Sequence, residues 1–79
     1  MRVTARLHGT LGERLTLEER LRGIELEIPE GATASDLLSA LGVPEPRRGV
    51  VVVDGRVLGA DDAIRSGAVA NVFQAISGG

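Results

Sequence analysis

Seventy-nine residues suffice for one domain and leave no room for a second core. With a net charge of −2 and Phe73 as its sole aromatic, the chain lacks the positive field and the stacking platforms of a nucleic-acid binder. It has no Cys, no Lys and one His, which excludes disulfides, thiolate nucleophiles, Schiff bases, a Walker A loop and Cys- or His-cluster metal sites.

The apolar fraction of 43%, nearly all aliphatic, is enough for a single core. A chain of this size buries only roughly 60–65% of its unfolded surface, so good packing has to supply its stability. No apolar run approaches the length of a membrane span, and the N-terminus has no signal-peptide core; the expectation is a soluble, cytoplasmic protein with no membrane partner.

Val3, Ala5 and Leu7 alternate with Arg2, Thr4 and Arg6, the period of a half-buried strand, and Gly9-Thr10-Leu11-Gly12 interrupts it. Residues 13–22 are charged and punctuated by Leu15, Leu17 and Leu21. Thr16 and Glu19 have the spacing of a capping box, which predicts a short helical turn. Ile24, Leu26 and Ile28 alternate with Glu25 and Glu27 in a second strand, ended by Pro29-Glu30-Gly31. The clearest helix follows. Thr33 is its N-cap, Asp36 sits near the positive end of its dipole, and Leu37, Leu38 and Leu41 share one face. Gly42 suits the C′ position, and Pro44 and Pro46 forbid continuation.

Val50 to Val53 are a continuous β-branched run, expected of a strand that is central or covered on both faces. Asp54-Gly55 signals a two-residue hairpin with Arg56 to Leu58 as the return strand. Residues 59–67 read as an irregular connection holding one helical turn around Asp61 to Ile64. Val69 to Ala75 is the last strand, followed by a bare Ile76-Ser77-Gly78-Gly79 end. One helix across one face of a mixed four- to five-stranded sheet is the economical packing of these elements, an α+β arrangement. The expected organisation is a domain over residues 1–75 and a flexible diglycine tail over residues 76–79.

Three segments together resemble one family. Ile28-Pro29-Glu30-Gly31-Ala32-Thr33 leads to Asp36-Leu37-Leu38; Val53-Asp54-Gly55-Arg56 makes the hairpin; and Ile64 to Gly79 reads IRSGAVANVFQAISGG. In order, spacing and diglycine end the chain resembles the MoaD/ThiS family of sulfur carrier proteins, which have the β-grasp, or ubiquitin-like, fold. It departs from the family pattern at Ala68, where an acidic residue is common, and at Gln74, where proline is frequent.

The resemblance implies that the carboxylate of Gly79 is the reactive group. A ubiquitin-activating-type enzyme uses ATP to adenylate it, a persulfide sulfur donor converts it to a thiocarboxylate, and a sulfur-receiving synthase subunit takes the sulfur. The carrier itself binds no cofactor and is not an enzyme alone. The long segment over residues 9–22 leans towards the small subunit of molybdopterin synthase, with its large subunit as the recipient. Carriers for thiamine, cysteine or tRNA thiolation share the same tail, as does a ubiquitin-like modifier joined to target lysines.

Within that frame Gly78 and Ser77 form the thin strip that enters a partner's channel, since glycine has no Cβ. The alternative is a frayed terminus. Ile76 either lines the tail's entry or packs on the body. Strand alternation puts Val69, Asn71 and Phe73 on one face and Ala70 and Val72 on the other. If Ala70 and Val72 face the helix, Phe73 is an exposed anchor for a partner; if the faces are reversed, it is core. The residues leave both open. Arg47, Arg48 and Arg56 read as scattered charges on a solvated loop, and His8 at a strand end has no assigned role.

Overall fold

The computed structural model describes residues 1–43 and 49–74. The period-two segments form strands: β1 (Arg2–Leu7), β2 (Ile24–Glu27), β3 (Gly49–Val53), β4 (Arg56–Leu58) and β5 (Val69–Gln74). Two helices accompany them, α1 (Leu17–Arg22) and α2 (Ala34–Ala40), and a 3-10 helix spans Gly9–Gly12. The sheet runs β2-β1-β5-β3-β4, with β1 and β5 parallel at its centre and every other pair antiparallel. This is the β-grasp arrangement, five-stranded, with α2 as its main helix.

Local chemistry accounts for the boundaries. Thr33 caps α2: its hydroxyl accepts from the Asp36 N–H at 3.2 Å, and the Asp36 carboxylate accepts from the Thr33 N–H at 2.9 Å. The far end closes in a Schellman motif. Gly42, at φ 69°, donates to Ser39 O, and Val43 donates to Leu38 O. The hairpin turn has positive φ at both Asp54 and Gly55, the type I′ signature that this dipeptide favours. Thr16 and Glu19 form the reciprocal capping box of α1.

One expectation is corrected and one pair of alternatives is decided. The connection over residues 59–67 has no helical turn around Asp61 to Ile64. Its backbone serves other elements instead: Asp62 O and Ala60 O accept from Ala34 N and Ser35 N, two donors at the start of α2 that no helical partner can satisfy. Thr33 and Ala63 form an isolated bridge, and Ile64 N donates to Ala32 O. A helical turn there would have turned those groups inward on itself. For the valine run the interior position is the alternative that holds: β3 lies between β5 and β4 and is covered on one face, with Val51 and Val53 buried and Val50 and Val52 half-buried. The last strand is described to Gln74, and Ala75 lies outside the described residues.

The core is a single layer between α2 and the inner sheet face. Val3, Ala5, Val51, Val53, Ala70 and Val72 from the sheet meet Leu37 and Leu38 from α2. Gly49 opens β3 because Leu38 lies over it; a Cβ there would come within 2.6 Å of both Leu38 methyl carbons.

Leu37 is fully buried, so Leu37→Ala is expected to lose about 2–5 kcal/mol in urea unfolding, from lost transfer energy and the cavity left behind. Gly49→Ala overpacks the same layer and should cost about 1–3 kcal/mol in the same measurement.

Candidate functional site

The buried positions of β5, Ala70 and Val72, settle which way that strand faces. Pleating then turns Val69, Asn71 and Phe73 to the open side of the sheet. Ladder partners extend the surface across the neighbouring strands. Val50 pairs with Phe73, Val52 with Asn71, and Val57 with Val52, so all are on the same face. The result is an apolar stripe over β5, β3 and β4. Within it Val57 is 68% exposed, Val69 47% and Phe73 40%. Val3, Ala5, Val51, Val53, Ala70 and Val72 on the opposite face are buried, whereas this side is left uncovered, as contact surfaces are.

Charges surround the stripe. On the β2–β1 side Arg2 is paired with Glu27 at 3.1 Å and with Glu25 at 3.9 Å. Beyond the hairpin the Arg65 guanidinium meets the Asp54 carboxylate at 2.7 Å. These exposed pairs are worth little to stability, and they leave the rim polar around an apolar centre, the usual anatomy of a protein interface.

Of the sequence-predicted residues, Phe73 is therefore exposed, one residue from the end of β5, and faces the same way as the stripe. Ile76, Ser77, Gly78 and Gly79 lie outside the described residues, as do Arg47 and Arg48; Arg56 is exposed at the start of β4. The anchor and the strand that leads towards the tail are thus brought together on one face. Sequence reasoning missed His8, whose ring stacks on Phe73 with centroids 4.6 Å apart. The signal was available: His8 continues the Arg2, Thr4, Arg6 alternation, and parallel pairing of β1 with β5 sets that row beside Asn71 and Phe73.

Among the described residues no three His, Cys, Asp or Glu side chains are grouped to hold a metal ion, and no helix is long and apolar enough to cross a membrane. What the described residues offer here is a surface.

A family model, that of the ThiS family, matches residues 11–79. The chain belongs to the ThiS family. No curated protein matches the sequence significantly. Among solved structures it is similar to SAMP1 from Haloferax volcanii, at 20% identity and a TM-score of 0.67 with 100% of both chains covered. A second crystal structure of the H. volcanii small archaeal modifier protein 1 gives 18% identity and a TM-score of 0.70, over 95% of this chain and 98% of that one. A putative molybdopterin converting factor, subunit 1, from Pyrococcus furiosus gives 21% identity and a TM-score of 0.70, over 96% and 99%. At such identities the likeness establishes the shared ubiquitin-like fold. In this ThiS-family chain the apolar stripe lies on the sheet face opposite the main helix.

The two faces should respond differently to one chemical change. Val57→Thr and Val69→Thr keep β-branching at exposed positions and are expected to shift stability by less than about 0.5 kcal/mol. Val51→Thr buries an unpaired hydroxyl beneath α2 and should cost about 1–3 kcal/mol. Thermal unfolding of the three variants checks both.

Proposed function

We propose that this ThiS-family chain is a sulfur carrier whose reactive group is the carboxylate of Gly79. The observation that carries the reading is that the family match runs through residue 79 and so includes Ser77-Gly78-Gly79. In this reading the carboxylate attacks the α-phosphorus of ATP in a ubiquitin-activating-type enzyme, releasing pyrophosphate and forming an acyl-adenylate. A protein persulfide then attacks the acyl carbon and expels AMP. A thiol cleaves the resulting acyl disulfide, leaving the thiocarboxylate on Gly79 and a disulfide on the donor. ATP belongs to the enzyme, not to the carrier.

The chain's own part is docking. Ordering the tail costs roughly 1–2 kcal/mol per residue in backbone entropy, and contacts made by the body must offset it. The stripe of Val50, Val52, Val57, Val69 and Phe73 supplies apolar area on and beside β5, and aromatic residues, Phe among them, are enriched at interfaces. Ile76 and Ser77 follow it towards the channel, and the absence of a Cβ at Gly78 and Gly79 lets the backbone approach the reacting phosphate closely.

The recipient we favour is the large subunit of molybdopterin synthase, with this chain as the small subunit in the cytoplasm. The likeness to the P. furiosus protein and the built-out segment over residues 9–22 support it; thiamine, cysteine and tRNA-thiolation pathways are the alternatives. A second reading, a ubiquitin-like modifier joined through Gly79 to target lysines, is favoured by the likeness to the H. volcanii modifier.

Intact-protein mass spectrometry after incubation with ATP, a persulfide donor and the adenylating enzyme should show one oxygen exchanged for sulfur at Gly79. Deletion of Gly79 is expected to abolish that product, and its persistence would sink the proposal. Higher-mass adducts on target proteins in place of the thiocarboxylate would select the modifier reading.

A further inference from the structure

His8 follows the last residue of β1, and its backbone N–H donates to Val72 O at 3.0 Å, carrying the bonding between β1 and β5 one residue further. That extension sets the imidazole on the open face against Phe73. The two rings stack, with centroids 4.6 Å apart and planes 12° from parallel. The His8 Nε2–H donates to Asn71 Oδ1 at 2.9 Å. Asn71 stands two residues before Phe73 on the same face, so the imidazole is tied to the strand that carries the ring it covers. Beside the pair lies a cleft of about 200 Å³ lined by His8, Gly9, Thr10, Phe73 and Gln74.

An exposed aromatic on a strand ordinarily has two common χ1 rotamers open to it. Phe73 has one side closed by a ring whose own orientation is fixed by a hydrogen bond. We propose that His8, held by Asn71, is a positioning residue that fixes the Phe73 ring in its docking orientation before the activating enzyme arrives. The cleft then receives the enzyme's side chain that packs against the ring edge, next to the point where β5 hands over to the tail. This inference rests on Phe73 being a partner anchor, as read above. Its physical content is preorganisation: freezing one mobile side chain on binding weakens affinity roughly two- to twelvefold, and a ring already ordered avoids that loss.

The test uses ATP–pyrophosphate exchange by the adenylating enzyme of the source organism, with the whole chain as the varied substrate. His8→Ala is expected to raise KM for the chain roughly two- to twelvefold while kcat stays the same. His8→Phe keeps a ring against Phe73 without the hydrogen bond and should restore only part of the affinity. In a Phe73→Ala background His8→Ala should add nothing. An unchanged KM in His8→Ala, or an equal effect with and without Phe73, overturns the proposal.

A measurement on the free wild-type chain guards against a variant that does not fold. NMR couplings about χ1 of Phe73 should report one rotamer, and rotamer averaging would overturn the proposal without any substitution. If the wild-type chain supports no exchange, the carrier reading fails and the positioning role fails with it. If exchange is normal and Phe73 is averaged, only the positioning role fails.

Discussion

The parallel pairing of β1 with β5 is the constraint on which the rest of the molecule depends. It joins residues near the two ends of the chain, Thr4 with Val69 and Leu7 with Val72, and everything between them is the crossover that such a pairing requires. The register of the pairing sets Ala70 beside Ala5 and Val72 beside Leu7, which turns Ala70 and Val72 to the buried face under α2. That single choice of face exposes Val69 and Phe73. It also sets His8 beside Phe73.

The inner and outer faces therefore carry separate duties. The inner face is aliphatic, closed and specific in volume, as the contact of Leu38 with Gly49 shows. The outer face is apolar without being covered, and its rim of paired charges gives polarity without rigidity. Under the proposed reading the reaction belongs to partners, and the outer face is what the chain presents to them.

Much of this was legible in the residues. Alternation in β1 and β2, the Thr33 cap, Gly42 after the helix and Asp54-Gly55 each specify a local structure by a mechanism acting within a few residues, and each formed where its mechanism put it. The loop over residues 59–67 was misread because its backbone bonds go to α2, a partner distant in sequence. The direction of Phe73 was undecidable for a related reason. Both faces of β5 carry apolar side chains, so alternation alone cannot say which is buried; the pairing with β1 decides it. The outward row that His8 continues was legible in the sequence, but only that same pairing shows which neighbour it meets.

The segment between β1 and β2 has a different character from the rest. None of the residues of α1 is buried, and Leu17 and Leu21 are 72% and 67% exposed. It is held by its capping box and by Arg20, whose guanidinium donates to Gly12 O and Glu13 O within the same segment. Few of its bonds reach the sheet; one is from Arg6 to Leu21 O. Such a unit can open and close while the five strands stay paired, because its free energy of opening draws on its own bonds rather than on the core. In hydrogen-exchange terms the amides of α1 are expected to lose protection before those of the sheet.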